Sequence, residues 1–321
     1  MRYKTILTLL CFLAFLLIPQ PVNAMTGEVI ITGGADEAFR DRISGILTRI
    51  INLLEDGNIA LLQDSFTAEG YNESCDLLER VEMSNASPVH ESCLLKLPRG
   101  GWEVRDIRVK VSMGDTEGNP YQYLVFTLNP EGMIAGVRFA MELTHYRRIV
   151  EEGERLKDFA FRQQILQFIE VFRTAYNRKD LDYLKKIYSD DALIIVGRVI
   201  KARPDLPDML EQSYLGQDKI EFIRTSKANY IRNLARVFQC NAFVKVVFDS
   251  IGVLQHDSIK KIYGVTLRQE WHSSTYSDLG WVFLMIDFRD EEQPIIHVRS
   301  WQPEKFPDGS VLGLYDFKLI P

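Results

Sequence analysis

The stretch NRKDLDYLKKIYSDDALIIVG, Asn177 to Gly197, carries a short amphipathic helix into two acidic residues and then straight into an apolar strand. Leu181, Leu184 and Tyr188 recur at helical spacing, and Asp180 is a residue type that caps helix N-termini. A blurred version lies between Asp56 and Tyr71, where Ile59, Leu62 and Phe66 stand 122 positions before the same three residues (181 − 59 = 122). The offset extends backwards. Ile43, Ile46, Leu47, Ile50 and Leu54 form one face of a helix, and they map onto Ile165, Phe168, Ile169, Phe172 and Tyr176.

Both copies also end in a hairpin pattern. In the first, Tyr121–Leu128 and Met133–Ala140 flank the turn Asn129-Pro130-Glu131-Gly132. In the second, Trp281–Phe288 and Ile295–Trp301 flank a turn around Asp290–Gln293. Two helices first and a hairpin last, twice, predict tandem domains of one α+β architecture: N-terminal helices packed on a curved antiparallel sheet. The second copy adds a helix near Ser226–Phe238 and strands near Ala242–Phe248 and Lys261–Trp271. In the first copy, Val81 to Trp102 is turn-rich, and that copy reads as degenerate. The charged run Glu151–Asp158 is the connector, giving domains over 36–150 and 158–321. The tail around Asp308-Gly309 reads as a final short strand.

Residues 1–24 have the form of a secretory signal peptide. Arg2 and Lys4 precede the apolar run Ile6–Ile18, and Val22-Asn23-Ala24 resembles a cleavage site. The expected location is therefore outside the cytoplasm, periplasmic or extracellular, with no stable membrane insertion after cleavage. A net charge of −6 gives no basic patch for nucleic acid. Cys75 and Cys93 are the candidate disulfide, with two free thiols as the alternative. The histidines are scattered, no metal-ligand spacing occurs, and no motif calls for a cofactor.

The phrase AYNRKDLDYLKKIYSDDALIIVG, with the order of elements around it, resembles the nuclear transport factor 2-like superfamily, which includes SnoaL-like and ketosteroid-isomerase-like proteins. The resemblance covers Phe161 to about Pro303 well and Asp36 to Tyr146 weakly. It implies a cone, in which a curved sheet wraps the helices, and in the family's enzymes an acid and a base inside that cone. The fold hosts enzymes, binding modules and assembly domains alike.

The last hairpin decides what the cone contains. With its turn centred near Glu292, Asp287 faces His297, Met285 faces Arg299 and Phe283 faces Trp301. Alternation then sends Val282, Leu284, Ile286, Phe288, Ile296 and Val298 towards the helices. Trp281, Phe283, Met285, Asp287, His297, Arg299 and Trp301 go outside, an aromatic and Arg-bearing face suited to pairing the two domains or two chains. A slip of one residue would turn Asp287, His297, Arg299 and Trp301 into the cone instead. Asp287 and His297 are the candidate catalytic pair. Trp271, Tyr276, Arg299 and Trp301 are the candidate ligand-binding residues. The function expected is that of an exported, non-catalytic binding or assembly protein, with an unidentified small molecule or peptide, or an envelope protein, as its partner. The rival is a cofactor-independent isomerase, dehydratase or hydrolase.

Overall fold

The computed structural model describes residues 26–56, 58–97, 100–113, 119–141, 159–200 and 219–317. The expected signal peptide and the 151–158 connector lie outside these residues. The described strands form two six-stranded sheets, each with its own helices and its own apolar core.

The first domain runs β1 (Glu28–Thr32), α1 (Glu37–Asn52), a 3-10 turn (Ala60–Ser65), α2 (Ala68–Arg80), β2 (Met83–Asn85), β3 (Val89–Lys96), β4 (Trp102–Val111), β5 (Tyr121–Leu128) and β6 (Ile134–Phe139). The strand order is β1-β3-β4-β5-β6, with β2 also on β4. Asp36 caps α1 by accepting from the Phe39 amide, and Ile43, Ile46, Leu47 and Ile50 are buried as their spacing predicts. The second predicted helix is only a 3-10 turn. It ends at Phe66, which forms a parallel bridge with Ile134.

Helix α2 has no counterpart in the sequence expectation. Thr67 caps it, and it lies so close to β6 that a Cβ on Gly70 would sit 2.3 Å from the Ile134 carbonyl oxygen. Gly70→Ala must push α2 off the sheet. We expect a loss of about 2 kcal/mol, read as a lower midpoint in urea denaturation.

The expected disulfide is corrected: Cys75 and Cys93 are both free. Cys75 belongs to α2, which packs on β6, whereas Cys93 is on β3, three strands away. Three strand spacings amount to about 14 Å. A disulfide needs Cα atoms within about 7 Å.

The second domain runs α3 (Phe159–Asn177), α4 (Leu181–Ile187), β7 (Tyr188–Ile200), β8 (Lys219–Thr225), α5 (Lys227–Cys240), β9 (Val244–Gln255), β10 (Ile262–Ser273), β11 (Ser277–Asp287) and β12 (Ile295–Gln302). The strand order is β8-β7-β12-β11-β10-β9. Helix α4 passes into β7 without a loop, and Tyr188 at the junction pairs in parallel with Ile296 of β12. Phe66, the residue 122 positions earlier, makes the corresponding parallel contact in the first domain. Ile165, Ile169, Phe172 and Tyr176 of α3 pack against Leu284, Ile286 and Phe288, so the apolar wall of β11 faces the helices as expected.

The register of the last hairpin differs from the simple arithmetic. Val282 pairs with Trp301, Leu284 with Arg299, Met285 with Val298 and Ile286 with Ile296, so a bulge leaves His297 unpaired. Arg299 and Trp301 therefore share the face of Leu284 and Val282 and enter the cone. Val298 goes outside with Phe283 and Met285. That outer patch is covered by the chain's own tail. Leu314 packs on it, and the Phe317 ring stacks on Phe283 at 5.4 Å. The tail forms a 3-10 turn at Leu314–Asp316 rather than a strand.

Within the chain the two domains meet through α3. Besides its apolar face, α3 carries Glu170, Arg173, Thr174 and Asn177, at i, i+3, i+4 and i+7, all buried. Glu170 accepts from Arg105 of β4, from Arg138 Nε of β6 at 2.9 Å and from the Met141 amide at 2.9 Å. Glu103 completes a closed four-charge ring, 2.8 Å from Arg105 and 2.6 Å from Arg138. Burial alone would raise the Glu170 pKa, but the two guanidiniums outweigh it and hold the carboxyl below its usual value. Arg173 donates to the Val246 carbonyl at the β9 edge, the Ala140 carbonyl and Gln122. Asn177 accepts from the Val246 amide at 2.6 Å. One helix thus closes the open edge of the second sheet and docks the first domain. Lys245 of β9 donates to the Asn119 carbonyl, and burial with Arg173 nearby brings its pKa down to about 8.

Candidate functional site

Arg299 is the residue on which the inside of the second cone turns. The bulge at His297 places it opposite Leu284, on a wall that is otherwise apolar. Its guanidinium lies 5.2 Å from the centre of the Tyr230 ring. The Tyr176 hydroxyl is 2.6 Å from that of Tyr230 and 3.3 Å from that of Tyr188. Each tyrosine comes from a different element: Tyr176 from α3, Tyr188 from the start of β7, Tyr230 from α5. Burial pushes the Tyr176 and Tyr188 phenols well above their ordinary pKa, so both stay protonated. Burial works against the charge on Arg299, but the surrounding tyrosines favour it, and the guanidinium stays charged.

Trp271 and Trp301 extend the cluster towards the end of the cone formed by the β10–β11 hairpin. Trp271 meets Tyr176 edge-on at 5.9 Å. Trp301 lies across Gly280, where a Cβ would come within 2.7 Å of its indole ring; glycine is needed for that approach. The β10–β11 hairpin turns within residues 274–276. It sets Asp278 directly opposite Trp271, on the cone face. Tyr276, which is exposed, lies in the turn two residues before Asp278. Burial raises the Asp278 pKa, and the opposing effects of Tyr276, Arg299 and His272 do not cancel it.

Three polar atoms here are buried with no hydrogen-bond partner among the described residues: Arg299 Nε, Trp301 Nε1 and Asp278 Oδ1. Unsatisfied groups are uncommon in interiors, and a cluster of them marks a place where something else supplies the partner. Two are donors. The third is an acceptor when ionised and either donor or acceptor when protonated. Trp271, Trp301 and Tyr230 are the aromatic neighbours of these atoms, and the two donors suit a carbonyl or carboxylate oxygen.

All four expected ligand-binding residues, Trp271, Tyr276, Arg299 and Trp301, therefore belong to one region. Asp278 was missed. The signal that could have found it is its place two residues beyond Tyr276 in a tight hairpin, facing Trp271. The expected catalytic pair is elsewhere. His297 Nε2 is 3.2 Å from Asp287 Oδ2, but Asp287 is also gripped by Arg289 at 2.6 Å and 2.9 Å. Burial would raise the Asp287 pKa; the hydrogen bonds from Arg289 overcome this and lower it. A carboxylate so stabilised is a weak base, and the pair lies at the hairpin end, outside the tyrosine cluster. Asp190 is on the surface, 2.8 Å from Lys227. Among the described residues no group of His, Cys, Asp and Glu could hold a metal ion.

No protein-family model and no curated protein matches the chain. Several solved structures are similar to it. Bd1075 of Bdellovibrio bacteriovorus is 13% identical, with 53% of this chain and 46% of that one covered and a TM-score of 0.33. A member of the NTF2-like family from Streptomyces avermitilis is 12% identical, with 44% and 94% covered and a TM-score of 0.31. ActVI-ORFA from Streptomyces coelicolor is 11% identical, with 44% and 96% covered and a TM-score of 0.30. This chain thus spans under half the length of Bd1075, and the matches to the two smaller proteins take in under half of this one. None of these scores carries an assignment by itself. The α+β architecture, two sheets each with its helices, stands on the element order and strand pairings described above.

Proposed function

We propose that this is an exported, non-catalytic binding and assembly protein, built from two nuclear transport factor 2-like copies of which the first is degenerate. The second domain holds a small planar acid between Arg299, Trp301 and Trp271. The first, docked on α3, serves assembly, with an envelope protein or a second copy of the chain as its partner. One observation carries the binding function: two buried donors, Arg299 Nε and Trp301 Nε1, have no acceptor among the described residues. The repeat is supported by the matched parallel contacts of Phe66 and Tyr188.

The test is a thermal-shift series with planar aromatic carboxylates and their neutral amides on the mature chain. The carboxylates should raise Tm by several degrees and the amides should not; a ligand at a hundred times its Kd adds about 2.7 kcal/mol. Equal shifts from both series, or none, would refute an anion-reading Arg299.

A second reading is favoured by Asp278 alone. A partly buried carboxyl with a raised pKa, beside neutral phenols, is equipped for general acid–base work in an isomerase, dehydratase or hydrolase without a cofactor. Under that reading Asp278→Asn abolishes turnover of a bound carbonyl compound and leaves its affinity within a few-fold. Under the binding reading there is no turnover to lose.

A further inference from the structure

A separate cleft of about 490 Å³ opens between the two domains. Leu97 of the β3–β4 connection forms one wall. Gln163, Gln167 and Phe168 of α3 form the floor, and Glu292 and Pro294 of the β11–β12 turn form the other wall. We infer that this cleft is a docking groove for a short extended peptide segment that carries a lysine.

The groove is preformed. The ring of Glu103, Arg105, Arg138 and Glu170 lies beneath it, and a small void shared with Gln163 and Gln167 adjoins the ring. The ring fixes how the two walls stand relative to each other, so little ordering cost falls on binding.

Its chemistry selects donors. Gln163 Oε1 is buried without a partner. Glu291 is neutralised by Lys261 at 2.7 Å, and its backbone carbonyl is taken by Gln164. Among the described residues Glu292 makes no ion pair, and no Lys or Arg stands among the described lining residues. An anion would meet a free carboxylate and an unpaired carbonyl oxygen. A ligand rich in N–H groups, with an ammonium for Glu292, would satisfy both. Leu97, Phe168 and Pro294 offer apolar surface for the stem of a lysine side chain.

The spacing favours a peptide over a free polyamine. Gln163 and Gln167 stand at i and i+4 on one helix face, about 6 Å apart. Like-facing amides of an extended chain repeat every ~6.7 Å, so the two side-chain amides can each bond one of them. A polyamine has no carbonyl to accept from the glutamine NH₂ groups.

The experiment is fluorescence polarisation on the full mature chain with a library of short, unstructured, lysine-centred peptides. Its arms are the same peptides acetylated on lysine, the same with glutamate for lysine, and spermidine as competitor. Lysine peptides should bind, with acetylation or glutamate weakening them at least about tenfold, a difference of ~1.4 kcal/mol. Glu292→Lys and Gln167→Ala should each weaken binding several-fold with Tm unchanged, since both side chains lie at the cleft surface. Arg299→Met should have no effect, which separates this groove from the site inside the cone. Binding by no lysine peptide, equal binding of the glutamate series, or full affinity in Glu292→Lys would each overturn the inference. Displacement by spermidine at concentrations like those of the peptides would show a site for amines, not for peptides.

Discussion

Glu170→Ala is expected to cost about 3–5 kcal/mol and to loosen the two domains from each other. The substitution removes the acceptor of Arg105 and of Arg138 Nε while leaving both guanidiniums buried, with only Glu103 between them. Two cations and one anion in a dry interface leave a net charge that water cannot reach. The loss is a large share of a typical stability of about 5–15 kcal/mol. It should appear as a Tm lower by on the order of 10 °C, and as new protease sensitivity between the domains. Replacing all four charges with Leu or Met of similar volume should be neutral or stabilising, because the ring recovers little more than its own desolvation cost. A Glu170→Ala variant within 1 kcal/mol of the parent would mean that the ring does not hold the interface.

Acid should act like the substitution. The Glu170 carboxyl has a lower pKa in the folded protein than in the unfolded chain. Its contribution is therefore fully present above the unfolded value and is lost as pH falls through the folded one. Domain separation, followed by small-angle scattering, should precede or accompany global unfolding on acidification.

This interface was hidden from the sequence for a specific reason. Helical periodicity was read through the apolar residues of α3, and Ile165, Ile169 and Phe172 do line the core as that reading requires. The stripe Glu170, Arg173, Thr174, Asn177 has the same period, but polar stripes ordinarily face water. Nothing local distinguishes a solvated one from one that docks a neighbouring domain. Helix α2 was missed for the opposite reason. Of it only Gly70, Ser74 and Leu77 are buried, and its apolar residues Tyr71, Cys75, Leu77 and Leu78 are interrupted by polar ones, with a close backbone approach at Gly70 bringing it onto the sheet.

The hairpin shows how far alternation can be trusted. Along β11 it was right at every core position, because the strand is regular. Along β12 one bulge at His297 shifted the pairs nearer the chain end by one residue, and with them Arg299 and Trp301. The residue types of the site were legible, but the side of the sheet they occupy depended on a bulge that no local signal marks. Asp287 and His297, adjacent to the bulge, stayed together at the hairpin end.

Arg299→Met should leave the second domain as stable as the parent or more stable by up to about 2 kcal/mol, while removing any affinity for planar carboxylates. Arg299 is buried beside neutral phenols, and its Nε has no partner among the described residues. A buried guanidinium with neutral neighbours keeps most of its desolvation cost, and methionine fills a similar volume without it. A chain that retains such a residue among Val282, Leu284 and Ile286 gives up stability for a use that needs the charge. The two measurements must therefore move apart: the urea midpoint holds or rises while the thermal shift from the carboxylates disappears. Arg299→Lys keeps the charge but not the planar Nε donor, so part of the ligand response should survive in it. If Arg299→Met instead lowers stability by 3 kcal/mol or more, the guanidinium is holding the three tyrosines in place. The cone would then be a structural core and not a receptor.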